Sequence, residues 1–338
     1  GGGGHAGGRA GREGSVIIPY GSPLPGGSTC LTPPQRMAII HPCRDSRDPP
    51  HGQETATVVR RSDAAPALPP LGGIGGDEIV ASNPGGDSGA GPPAAPGDGR
   101  LDVLGLSEAE MQELLAGVLD RPYRASQIRQ AIHRQGATSF DQMTNLSKAL
   151  REELERRCVI GIPTVETAHE SSDGTRKVLF ALRDGATIEA VDIPSEDRRT
   201  LCLSSQAGCA LACTFCVTGY WGGGRNLTAG EIVGQVLGLV GRLPYDSGVN
   251  IVMMGMGEPL HNLEAVGAAL ETLAEAISWR RITVSTVGAV AGIREMAAWP
   301  KRPNLAVSLH APDDTRRDRI MPINRTHPLD ELFGALAE

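Results

Sequence analysis

The chain has 338 residues, a formal charge of -7 and only 3% aromatic residues. An acidic balance of this size carries no global signature of nucleic-acid binding, although a local basic face stays compatible with it, and so few aromatics exclude a base-stacking platform of the RRM type. No window reaches the ~18 apolar residues of a membrane span, the N-terminus has no apolar signal core, and seven cysteines, clustered and odd in number, fit a reducing cytoplasm better than a disulfide framework.

Residues 1–99 are low in complexity. Runs such as PLPGGS, APALPPLGGIGG and GPPAAPGDG cannot bury enough apolar surface to offset the entropy of ordering. A disordered tail is expected there, either genuine or translated from upstream sequence, with Cys30 and Cys43 as isolated thiols. Order is predicted from Leu101. Ser107-x-x-Glu110 reads as a capping box, followed by Met111, Leu114, Leu115 and Val118 at helical spacing. A break at 120–123 precedes a second helix over 125–135, with Ile128 and Ile132 on one face and Gly136 as its stop. Phe140 and Met143 form a short apolar turn. Ser147 caps a third helix through Arg157, with Leu150 and Leu154 inward. This accessory domain, 100–160, is too small to build a generous core by itself. Arg121, Arg124, Arg129, Arg134, Arg156 and Arg157 punctuate it, as solvated helix faces or as an RNA-facing patch.

A β connector follows over 161–200. Turns at 171–175 (SSDGT) and 183–185 bound strands over 177–182 and 187–193. Glu189 lies inside the second strand, where a carboxylate either faces solvent or serves as a base. From Leu201 the rhythm is strand, loop, helix: strands over 201–204, 250–254, 281–286 and 304–309, helices from the Thr228-x-x-Glu231 capping box to Val240 and over 263–277, 293–298 and 329–337. The apolar run NIVMM at 250–254 is of the buried, parallel kind. Four successive βα units predict an α/β fold with a parallel sheet or barrel, whose ligand sites lie at the carboxyl ends of the strands. Each unusual motif falls at such an end: the cysteine loop, GMGEP at 255–259, Ser285-Thr286 and Ser308-Leu309-His310. That coincidence marks 201–338 as a cofactor-binding enzyme domain.

The cysteine loop is TLCLSSQAGCALACTFC, with Cys202 upstream of a C-x3-C-x2-C set formed by Cys209, Cys213 and Cys216. Structural zinc normally takes four protein ligands in two separated pairs, and no second pair follows. An iron–sulfur cube on three cysteines keeps one iron open for chemistry; a partial zinc knob is the competing reading. In GMGEP, Gly257 lets backbone approach a ligand and Glu258 is able to pair with an ammonium. Ser285 and Ser308 are placed to bond a ribose or carboxylate, or to cap strand ends. His310 has no second histidine near it in sequence, which favours a structural or substrate-contact role over metal ligation.

Taken together, RPYRASQI, SSDGT, TLCLSSQAGCALACTFC, RNLTAGEIVGQV, NIVMMGMGEPL, RRITVSTVG, AVSLHAPDDTRRD and MPINR resemble the dual-specificity RNA methyltransferases of the RlmN type, in the radical S-adenosylmethionine (SAM) superfamily. The resemblance covers about 101–338. It implies a partial (β/α) radical SAM barrel behind a helical RNA-contacting accessory domain, a 4Fe–4S cluster on Cys209, Cys213 and Cys216, and SAM contacts at Gly257, Glu258, Ser285, Ser308, Leu309 and His310. It also implies methylation of carbon 2 of adenine 2503 in 23S rRNA and of adenine 37 in tRNA. In this chemistry Glu189 accepts the carbon 2 proton, and Cys202 resolves a protein–RNA adduct by forming a disulfide. A flavodoxin-like electron donor, a cytoplasmic location and a monomer are expected. The methyl-carrying cysteine of the family falls beyond Glu338, so a core truncated after about four βα units is expected, one that binds a cluster but does not complete methylation. The alternatives are a Cfr-like enzyme acting on carbon 8 and an inactive RNA-binding remnant holding zinc or no metal.

Overall fold

The computed structural model describes residues 99–245 and 248–338. All but the last residue of the expected tail, Cys30 and Cys43 included, lies outside them. The first elements build the helical module. Strand β1 (Leu101–Asp102) opens it and helix α1 (Glu108–Leu114) follows. The capping box is formed: Ser107 Oγ accepts from the Glu110 amide at 3.2 Å, and Glu110 Oε2 accepts from the Ser107 amide at 2.8 Å. The helix stops earlier than the apolar spacing suggests. Leu115 is its C-cap, and Leu114, expected inside, is 43% exposed. Gly117 follows closely, and glycine is a poor helix former. Helix α2 (Arg124–His133) and helix α3 (Lys148–Arg157) complete the module, the latter capped by Ser147 Oγ on the Leu150 amide at 3.2 Å. Met111, Ile128, Ile132, Phe140, Met143 and Leu154 form its interior. Strand β2 (Cys158–Val159) returns to pair with β1 in parallel.

His133 is buried in this module. Nε2 lies 3.4 Å from the Leu104 carbonyl, and Nδ1 has no partner among the described residues. Burial, with the nearby Arg129 charge, pushes its pKa from 6.5 down to about 4. The folded state therefore binds fewer protons than the unfolded state between these values, and stability falls as pH drops through the window. Wild-type protein should lose about 3 kcal/mol from this group between pH 7 and 4. His133→Leu should lack that share of the acid limb in urea melts; an unchanged limb would contradict it.

One mixed sheet organises the rest. Strands β3 (Thr164–Glu170), β4 (Arg176–Ala181), β5 (Thr187–Pro194) and β6 (Arg199–Cys202) come first, then the short pair β7 (Gln206–Ala207) and β8 (Arg225–Asn226), which flanks helix α4 (Val217–Tyr220). Helix α5 (Ala229–Val240), β9 (Val249–Met253), α6 (Leu263–Leu273), β10 (Ile282–Thr286), α7 (Val290–Ala297), β11 (Asn304–Val307), α8 (Asp314–Ile320) and α9 (Leu329–Ala337) follow. The strand order is β11-β10-β9-β6-β5-β4-β3. The β6, β9, β10 and β11 neighbours pair in parallel; the β3–β6 neighbours pair antiparallel, so the hairpins over 164–194 extend the same sheet. No described helix is long and apolar enough to cross a membrane.

Several limits differ from those predicted. β9 ends at Met253, leaving Met254 42% exposed at the strand's mouth. β11 ends at Val307, before the left-handed backbone of His310 (φ +57°). Helix α6 ends at Leu273, short of the predicted 277. Helix α8 was not predicted: DTRRDRI carries no apolar period, and its buried residue is Arg317.

Strand alternation separates two faces. Val178, Phe180, Ile188, Ala190, Leu201, Ile251, Met253, Ile282 and Val284 are buried. Helix α5 lies on that side, so close that a Cβ on Gly238 would sit 2.7 Å from the Phe180 ring. The opposite face carries the register row Val191, Cys202, Val252 and Thr283. Glu189 and Ser285 lie two residues further along their strands, towards the carboxyl ends of the parallel strands.

Candidate cofactor site

The cysteine loop leaves the centre of the sheet at β6 and is fixed from both sides. Gln235 of α5 grips its start, accepting from the Ser204 amide at 2.8 Å and donating to the Ser204 carbonyl at 2.9 Å. Further on, the Cys209 amide donates to Gly222 O, Cys216 to Cys213 O and Gly219 to Cys216 O, each at 3.0 Å. Ala212, between two of the cysteines, holds a left-handed φ of +49°. Cys213 is 6% exposed, while Cys209 and Cys216 are half-buried. Burial raises the Cys209 and Cys213 thiols, Cys213 to about 11, and the neighbouring thiols and Glu258 raise both further. The Cys209 and Cys213 thiols thus each feel the charge of Cys216 and of Glu258. Among the described residues, no three His, Cys, Asp or Glu side chains converge on a single-ion cage.

Cys202 lies apart from this set, buried on β6, its thiol pushed up to about 11 by desolvation. Its cross-strand neighbours are Val191 and Val252, so no sulfur stands opposite it. The five described cysteines are free, and the expected disulfide is absent among them.

GMGEP is sutured to the cysteine strand. The Gly255 amide donates to Leu203 O at 3.0 Å, Met256 N to Ser204 Oγ at 2.8 Å, and Ser205 N to Met256 O at 2.8 Å. Gly257 has φ +98°, and a Cβ there would lie 2.5 Å from Gln206 Cβ and 2.8 Å from its amide nitrogen. Gly257→Ala should therefore cost about 2–4 kcal/mol from left-handed strain plus overlap, read as a lower urea midpoint of the metal-free protein. A neutral result would show that the turn yields freely.

Glu258 is 2% exposed. Oε1 accepts from Leu260 N at 3.1 Å and Oε2 from Val287 N at 2.9 Å, joining the ends of β9 and β10. Burial raises its pKa, and these amides and Thr286 hold it back. A carboxylate has about four acceptor positions, so capacity for a ligand ammonium is left. Ser285 lies on the half-open face of β10. Ser308 follows β11, its amide donating to Thr286 O at 2.8 Å. Leu309 is half-buried, and the exposed His310 ring packs on Phe215 with centroids 4.2 Å apart. Burial and the Arg317 charge hold the His310 pKa below its ordinary value. That ring contact brings the loop after β11 onto the cysteine loop. Glu189 is held by Lys177, whose Nζ donates to Oε1 at 2.8 Å across the strands.

Sequence reasoning missed Arg317, Lys177 and the exposed aromatics beside the cysteines, Tyr220 (73%) and Trp221 (64%). Alternation puts Lys177 and Glu189 on one sheet face, a signal that was available; a buried arginine in a polar helix leaves none. A cavity of about 580 Å³ lies elsewhere, between the helical module and α6, where Arg129 pairs with Glu275.

A parallel sheet whose carboxyl ends carry a three-cysteine loop and a Gly-Met-Gly-Glu-Pro turn defines a radical SAM domain, and the Radical SAM superfamily model matches residues 203–338. The model of the ribosomal RNA large subunit methyltransferase N-terminal domain matches 101–160. The chain is 48% identical over 242 residues to the dual-specificity RNA methyltransferase RlmN of Geobacter sulfurreducens, covering 70% of this chain and 66% of that relative. It is 47% identical over 240 residues to the Geotalea uraniireducens protein of the same name, covering 70% of this chain and 69% of that one. A solved radical SAM methyltransferase from Sphaerobacter thermophilus superposes with a TM-score of 0.65 at 43% identity, over 70% of this chain and 71% of that one. The chain belongs to the RlmN family of radical SAM methyltransferases and spans about two thirds of the length of the curated relatives it matches. The cofactors of that superfamily are a 4Fe–4S cluster and SAM. The donor set fits them: three soft thiols, too few for closed structural zinc, on a loop pinned by its own backbone. A cube takes its three cysteines on three different irons, so its ligands do not meet at one ion.

Proposed function

We propose that the full-length protein, with the methyl-carrying cysteine that these 338 residues do not contain, methylates carbon 2 of an adenine in 23S rRNA and in tRNA. The observation that carries this reading is the shared sheet face. Glu189, Cys202 and Ser285 lie on it together, beside the cysteine loop and at the carboxyl ends of the parallel strands. Carbon 2 of adenine is not nucleophilic, and the bound cluster and SAM would supply the radical chemistry it demands.

In this reading Cys209, Cys213 and Cys216 hold the cluster. Glu258 takes the SAM ammonium while Gly257 admits its backbone contacts, and Ser285, Ser308, Leu309 and His310 line the rest. Glu189 removes the carbon 2 proton, its carboxylate oriented by Lys177; Cys202 then forms a disulfide with the methyl-carrying cysteine of the full-length protein, breaking the bond from that sulfur to the transferred carbon, which stays on the adenine. Burial keeps the Cys202 thiol protonated near neutrality, so it must lose that proton before it attacks. Phe215, Tyr220 and Trp221 offer exposed rings on which unpaired bases stack, and the helical module adds RNA contacts. A flavodoxin-like electron donor, a monomeric state and a cytoplasmic location belong to the same reading.

The test is nucleoside mass spectrometry of 23S rRNA and tRNA from cells that lack this modification and express the protein. 2-Methyladenosine in both RNAs is expected from the full-length protein, and Glu189→Gln should abolish it at unchanged iron content; the 338 residues alone should leave both RNAs unmethylated. 8-Methyladenosine would replace the carbon 2 reading by carbon 8, and methylation of neither RNA by the full-length protein would overturn the proposal.

A further inference from the structure

Arg317 has the largest of the fully buried side chains, at 0% exposure. It sits on α8, and its guanidinium ties together the two strand-end loops that line the cofactor site. Nε donates to Leu309 O, after β11, at 3.2 Å; Nη2 donates to Val287 O, after β10; Nη1 donates to Asn324 Oδ1 at 2.5 Å. The same helix reaches the cysteine loop, because the amide of Thr214, next to Cys213, donates to Ile320 O at 3.0 Å. Every one of these acceptors on Arg317 is neutral. Among the described residues no carboxylate lies within ion-pair distance of it. Asp314 and Asp318 stand one hydrogen bond further out, both accepting from Asn324 Nδ2, at 2.9 and 2.7 Å. A buried cation is normally paired directly, so the fold keeps a positive charge on the helix that meets the cysteine loop next to Cys213, with its direct counter-charge missing.

We propose that Arg317 is a positioning residue whose guanidinium serves as the counter-charge of the iron–sulfur cluster on Cys209, Cys213 and Cys216, easing the cluster's reduction. The proposal rests on the cofactor reading above. Three thiolates bring more negative charge than an oxidised cube offsets, and reduction adds one more. A nearby desolvated cation therefore favours the reduced form. The fork geometry does a separate job, since it spaces the loops after β10 and β11.

Charge and fork are separated by two variants. Arg317→Lys keeps the charge and loses the fork; Arg317→Gln loses both. The reconstituted full chain is titrated with a reductant and followed by EPR, and the metal-free proteins are melted in urea. Both variants should lower the urea midpoint. At the potential where wild type is half reduced, Arg317→Gln should show an about tenfold lower reduced-to-oxidised ratio, ~59 mV for a one-electron couple; Arg317→Lys should stay within about twofold. Should Arg317→Gln not fold, Asn324→Asp is read in its place, since it puts a carboxylate on Nη1 and should lower the ratio likewise. Equal ratios in all proteins, or equal shifts in the Lys and Gln variants, would reduce Arg317 to a loop clamp. A wild-type protein that assembles no cluster would instead refute the cofactor reading itself.

Discussion

Cys213→Ala protein, reconstituted with iron and sulfide without oxygen, should hold no 4Fe–4S cluster and cleave no SAM. Cys213 is the most buried of the three cysteines, and its loop position is fixed twice, through the Cys216 amide on its carbonyl and the Thr214 amide on α8. Removing one of three ligands leaves two irons open to water and thiol, and the cube disassembles. The loss should exceed the 10–100-fold that removal of an outer-shell partner costs a metal site. Cys209→Ala and Cys216→Ala should behave alike. Cys158→Ala is the control: that thiol is fully buried in the helical module, so its removal costs packing but leaves iron and sulfide content unchanged. Full iron content in Cys213→Ala would contradict the assignment.

Glu258→Ala has the second largest expected effect, and it falls first on stability. The substitution strips the acceptor from two backbone amides, Leu260 and Val287, at the ends of adjacent strands. Each buried donor left without a partner costs about 1–3 kcal/mol. Relief from burying the carboxylate offsets part of this, so a net loss of about 2–4 kcal/mol is expected. Glu258→Gln keeps one acceptor oxygen but turns an NH2 towards the other amide, and should fall between wild type and Glu258→Ala. Urea denaturation of the metal-free proteins measures the structural share. SAM binding to reconstituted Glu258→Gln measures the rest, with an expected weakening of at least tenfold. Wild-type affinity in that variant would confine Glu258 to tying β9 to β10.

These two residues show what was legible in the sequence. Cys209, Cys213 and Cys216 announce themselves because three thiols at short spacing have few structural uses. Glu258 was readable as an acidic residue in a glycine turn after a buried strand, yet its bond to Val287 joins positions 29 apart in sequence, which no local pattern reveals. The parallel strands were legible from apolar runs and capping boxes: Thr228 and Glu231 form theirs, and α5 ends at Val240 as the pattern predicts. The sheet's continuity through the hairpins of 164–194 was not, because strand pairing is a tertiary choice. Nor was α8. Its one fully buried residue is an arginine, so hydrophobic periodicity is nearly silent there, and the burial of Arg317 becomes intelligible only once the partners Val287, Leu309 and Asn324 are seen around it.

The most direct measurement is EPR of the anaerobically reconstituted and reduced protein, recorded with and without SAM. A 4Fe–4S signal that changes on adding SAM is predicted, because three cysteines leave one iron free to take the ligand. Zinc in place of iron, or a cluster signal indifferent to SAM, would contradict the cofactor site described for this chain.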